Sequence, residues 1–62
     1  MNYRIYEHIV GLPSHLDTPL ETLEEDLKDR TAEEAEEFIQ RFVPNVDKYG
    51  RKRNVYVYRE EK

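Results

Sequence analysis

A chain of 62 residues forms one domain (1–62), near the size at which a single core barely offsets the entropy of ordering the chain, so a second copy or a larger partner would help to hold it. It has no cysteine, which removes disulfides and thiolate metal sites, and no stretch has the length and apolar continuity of a signal peptide or a membrane span. With a net charge of -4 and a pI near 5.1 the whole surface does not suit nucleic acid, and the expectation is a soluble, cytoplasmic protein with no membrane contact.

Met1 to Val10 alternates, with Tyr3, Ile5, Glu7 and Ile9 on one side and Arg4, Tyr6, His8 and Val10 on the other, which favours a strand. A helix is the competing reading, because Ile5 with Ile9 and Tyr6 with Val10 are also four residues apart. Gly11 to His15 is a connection, punctuated by Gly11 and Pro13.

Thr18-Pro19-Leu20-Glu21 reads as a capping box that opens a first helix near 19–29, with Leu20, Leu23 and Leu27 as its apolar stripe. Thr31-Ala32-Glu33-Glu34 repeats the device and opens a second helix near 32–43, so Asp29 to Thr31 is the corner between them. Ala35, Phe38, Ile39, Phe42 and Val43 have the spacing of a helix face laid on a core, and Pro44 ends the helix. Beyond it, Val46 to Tyr49, the turn Gly50-Arg51 and Lys52 to Arg59 read as a hairpin. In its last strand Val55 and Val57 share one face and Tyr56 and Tyr58 the other, and the valines are expected to cover the helices. Glu60 to Lys62 are expected to fray.

The fold class that follows is α+β: an N-terminal strand, two short helices, and a C-terminal β-hairpin packed on the helices, its last strand paired with the first. This order resembles the layout of small winged-helix domains, with Thr31 to Val43 where a recognition helix lies and Gly50 to Arg53 as a wing tip. On that layout the groove-facing helix would carry Glu33, Glu34, Glu36 and Glu37, which phosphates repel.

Charge is sorted along the chain, with acids dominating from Asp17 to Glu37 and bases from Arg41 to Arg59. Glu24, Glu25, Asp29, Glu33, Glu34, Glu36 and Glu37 are the candidate partner-binding residues, an acidic helical surface that fits a basic site on a larger protein, as an inhibitor or adaptor does. Part of that charge serves the helices themselves, through the dipole and the pairs Glu24 with Lys28, Asp26 with Arg30 and Glu37 with Arg41. The alternative is nucleic-acid binding, with Arg51, Lys52 and Arg53 on phosphates and Tyr56 and Tyr58 stacking on unpaired bases.

His8, His15 and Asp17 have no recognised metal spacing, and Ser14-His15-Leu16-Asp17 names a hydrolase triad only by letter, since neighbours in one extended loop do not converge. No cofactor signature is present, and the chain is read as a non-enzymatic interaction module.

Overall fold

The N-terminal segment is a strand. In the computed structural model, which describes residues 3–60, β1 (Tyr3–Ile9) lies at the centre of a three-stranded antiparallel sheet. β2 (Thr18–Pro19) borders it on one side and β3 (Arg53–Arg59) on the other, giving the order β2-β1-β3. A 3-10 turn (Ser14–Leu16) precedes β2, and helices α1 (Glu21–Asp26) and α2 (Ala32–Phe42) come between β2 and β3. This is a small α+β domain, and no helix among the described residues is long and apolar enough to cross a membrane. The expectations for Met1, Asn2, Glu61 and Lys62 lie outside the described residues.

The alternation read from the sequence sets the layers. Tyr3 and Ile5 are buried, and with Leu27, Ala35 and Ile39 they form the core, against which Val55 and Val57 pack from β3. Both helices therefore cover one face of the sheet, while Tyr6, Tyr56 and Tyr58 line the other. Tyr3 also ties the layers together. Its buried hydroxyl donates to the Leu27 carbonyl, with the Arg30 carbonyl 3.0 Å away, at the corner joining the helices. Burial, the largest influence on this phenol, raises its pKa.

The second capping box forms as expected. The Glu34 N–H donates to the Thr31 hydroxyl at 3.2 Å, and the Thr31 N–H donates to the Glu34 carboxylate at 3.0 Å. The first does not. Thr18 and Pro19 are drawn into β2, with Glu7 opposite Thr18 and Tyr6 opposite Pro19, and the Leu20 N–H donates to the Ile5 carbonyl at 2.9 Å. Leu20 becomes the residue before α1 and makes no side-chain cap. Pairing with β1 satisfies the backbone that a local cap would have served, and Pro19 sits on an edge strand where no donor toward β1 is needed.

Two further expectations change. Phe42 is 68% exposed and rests on Phe38, with ring centroids 5.0 Å apart, because the end of α2 runs past the edge of the small core. The C-terminal hairpin shrinks to one bridge between Val46 and Lys52. In place of a two-stranded wing, the Asp47 carboxylate closes the turn, accepting from the N–H groups of Tyr49 and Arg51 and from the Arg51 guanidinium. Gly50, at φ 80, supplies the left-handed residue that this turn requires.

Candidate functional site

Glu24 stands where the sheet would otherwise be incomplete. Leu20, which lies opposite Ile5 just past β2, gives its carbonyl to the Glu24 N–H at 2.9 Å, the first bond of α1, and offers no acceptor to the Ile5 N–H. Glu24 supplies one instead: its Oε2 accepts from the Ile5 N–H at 2.9 Å and from the Arg4 guanidinium, also at 2.9 Å. The side chain is buried, with 7% of the residue exposed, which removes Glu24 from the expected partner-binding surface. The reason is positional. Leu20, Leu23, Glu24 and Leu27 have the i, i+3, i+4, i+7 spacing of an inward face, and Glu24 occupies its third place.

The remaining acids expected to bind a partner lie outside the core, Glu25, Glu33, Glu34, Glu36 and Glu37 on the helices and Asp29 in the turn between them. They are not all unengaged. Glu25 pairs with Lys28 at 2.8 Å and Glu37 with Arg41 at 3.2 Å. Glu34 serves the cap, and the Thr31 backbone N–H, then its hydroxyl, hold its carboxyl below the usual range. Glu33 and Glu36 both reach Arg59 of β3, at 3.2 and 3.4 Å. The expected pairs Glu24 with Lys28 and Asp26 with Arg30 do not form. Glu24 is turned into the sheet, and the Arg30 guanidinium lies over the Phe38 ring, 5.9 Å from its centroid.

The helix α2 thus shows two acidic flanks. Glu34, Glu37, Phe38 and Arg41 line a hollow on one side. On the other, Glu36, Ile39 and Gln40 line a groove whose opposite wall is Val55, Tyr56 and Val57 of β3. Glu33, three residues before Glu36, continues that acidic flank.

The β3 wall of this groove is an open strand edge. The β1–β3 register pairs Tyr6 with Tyr56, and the Val10 N–H donates to the Lys52 carbonyl at 3.0 Å. In an antiparallel pair this alternation directs the backbone groups of Asn54, Tyr56 and Tyr58 toward β1, and those of Arg53, Val55, Val57 and Arg59 away from it. The outward Arg53 N–H is taken by the Asn45 carbonyl at 2.8 Å. Among the described residues, no partner bonds to the outward N–H and C=O groups of Val55 and Val57.

The structure does not bring the alternative nucleic-acid set together. Tyr56 and Tyr58 share the open face, whereas Arg53 lies on the helix side, bonded to Glu7 at 2.9 Å and to the Pro44 carbonyl at 3.1 Å. Arg51 is held by Asp47, and Lys52 sits at the bridge to Val46. Burial works to raise the Asp47 carboxyl, but the Arg51 and Tyr49 N–H groups and the Arg51 guanidinium outweigh it and hold the pKa below the usual range. On the open face Tyr6 stacks on Tyr56 at 5.8 Å and meets Tyr58 edge-on at 6.1 Å, while Arg4 lies 5.7 Å from the Tyr6 centroid.

Comparison with protein-family models, with curated proteins and with solved structures finds no match to this chain. Its own geometry therefore carries the functional reading.

One cluster was not legible from the sequence. Asp17 accepts from the Tyr56 hydroxyl at 2.6 Å and from His8 Nδ1 at 2.7 Å, fastening the loop before β2 to both β1 and β3. The Tyr56 bond, then the His8 bond, lower the Asp17 pKa. Burial first, then the hydrogen bond to Asp17, push Tyr56 up to about 12. The alternation that places His8 and Tyr56 on one face was visible in the sequence. Asp17, in a connection with no period, gave no sign of reaching them.

Proposed function

We propose that this chain is a small non-enzymatic binding module whose helical layer engages a basic surface of a larger protein. The observation that carries the reading is the set of carboxylates on the outside of that layer. Glu21, Glu25, Asp26, Asp29, Glu33, Glu34 and Glu37 are exposed, and only Lys28, Arg30 and Arg41 stand among them on the same segment. Such a field steers a basic partner into encounter and rejects acidic ones. An inhibitor or adaptor role follows, with the module covering a site that would otherwise hold another anionic surface.

The nucleic-acid reading takes second place, because two of its three basic residues already hold carboxylates and its tyrosines already pack on one another. The test spares the residues that build the fold. Glu34 closes the cap and Glu33 and Glu36 hold Arg59, so the variant is Glu25→Lys, Asp29→Lys and Glu37→Lys together. Affinity capture from lysate treated with nuclease should yield a protein partner with the native chain and lose it with the variant. Retention by a folded variant, or loss of the partner on nuclease treatment alone, would refute the proposal.

A further inference from the structure

We infer that the groove between α2 and the outer edge of β3 is a strand-addition site for an extended peptide segment that presents aliphatic and basic side chains on one face. The inference rests on the reading of a basic partner given above and names the segment of that partner that would dock.

A peptide adding to a sheet edge needs a strand with outward backbone groups and a neighbouring wall that receives alternate side chains. Both are here. Val55 and Val57 direct their N–H and C=O groups into the groove with no partner among the described residues, while the matching groups of Ile5, at the other side of β1, are taken by Glu24 and Leu20. The edge is open over a short length, because Asn45 covers Arg53 at one end and Arg59 crosses to Glu33 and Glu36 near the other. An incoming strand would place every second side chain under α2. There an aliphatic group meets Ile39, and a basic group two residues away meets Glu36 beside Gln40.

Charge chooses the occupant. A second copy adding through its own β3 would lie antiparallel about a two-fold axis, which puts both α2 helices on the same face of the joined sheet. Full overlap would set Arg53 beside the second copy's Arg59 at each end of the joined strands, with the two Glu33 and Glu36 pairs at opposite ends. Like charges so placed oppose pairing. A lysine or arginine on a foreign strand meets two carboxylates at Arg59 that share one guanidinium.

The probe is an acetylated, amidated seven-residue peptide with threonine at odd positions and lysine, valine and lysine at the even ones, titrated into the full chain and followed by amide NMR. Strand addition predicts shifts concentrated at Val55 and Val57, with slowed exchange of those two amides. Replacing both lysines by glutamate should weaken binding by about tenfold, an effect that shrinks in added salt. N-methylation of every second position, the even ones for antiparallel addition and the odd ones for parallel addition, should abolish it, as should Val57→Pro, which removes an outward donor that β1 does not use. Where that variant loses the Tyr6–Tyr56 contact, the N-methylated peptide alone decides. Undisturbed Val55 and Val57 amides at millimolar peptide would overturn the inference, and so would a dimer by sedimentation in which these amides are already protected. Shifts confined to the outer helix carboxylates, and unaffected by N-methylation, would overturn strand addition while leaving the basic-partner reading in place.

Discussion

Replacing Glu24 by alanine removes the acceptor that completes β1. The Ile5 N–H is fully buried, at 0% exposure, so water cannot replace the carboxylate. A donor stranded in this way costs about 1–3 kcal/mol. The Arg4 guanidinium adds little, because it can turn into solvent, and the better helix propensity of alanine returns only about a few tenths of a kcal/mol. For a chain this short the whole folding free energy is on the order of 3–9 kcal/mol. The centre of the expected range therefore corresponds to a midpoint lowered by about 10 °C in thermal unfolding followed by circular dichroism. Glu24→Gln keeps an oxygen facing Ile5 and should retain most of the stability. Glu25→Ala, one residue away and exposed, should leave the midpoint where it is. If Glu24→Ala and Glu25→Ala unfold together, the carboxylate does not serve as the missing strand partner and the reasoning fails.

Other outcomes follow from the same contacts. Tyr3→Phe deletes the hydroxyl that holds the Leu27 carbonyl at the helix corner and should cost about 1 kcal/mol in urea unfolding, with the slope unchanged. Thr31→Ala opens the cap of α2 and should also cost about 1 kcal/mol, whereas Thr18→Ala, whose cap does not form, should cost clearly less in the same assay. The pH response has two limbs. Asp17, Glu34 and Asp47 have lowered pKa values in the folded state, so their contribution is complete above the ordinary carboxylate range and is lost as the pH falls through their folded values. Tyr56 is raised to about 12, so its contribution is complete below the ordinary phenol value and is lost as the pH climbs from there through about 12. Urea midpoints measured across pH should fall at both ends, and Asp17→Asn should reduce the alkaline limb.

The layers of this fold were legible because period and face coincide. Val55 and Val57 alternate with tyrosines, and that alternation assigns them to the helix side; Tyr3 and Ile5 share a face by the same period, and their burial with Leu27, Ala35 and Ile39 shows which face it is. Thr31 and Glu34 were legible because a capping box is local and nothing nearby competes for those groups. The same letters at Thr18 and Glu21 misled, because Thr18 and Pro19 found a partner in β1 twelve or so residues back, and local spacing carries no sign of that competition. Glu24 was hidden by its chemistry. A carboxylate among acids reads as surface, although its place between Leu23 and Leu27 put it on the buried side. The candidate site was half legible: the acids of α2 and the valines of β3 were in view, but which strand edge stays open depends on register and on Asn45, neither of which the sequence displays. Asp17 meeting His8 and Tyr56 belongs with these, since it depends on how a loop returns to the sheet.

Native-state hydrogen exchange, read residue by residue along β1 and β3, examines the open edge most directly. The amides of Ile5, Tyr56 and Tyr58 should be protected, while Val55 and Val57, in the same strand as the last two, should exchange far faster. Uniform protection from Asn54 to Tyr58 would mean that the outer side of β3 is already sealed, and no partner strand could be received there.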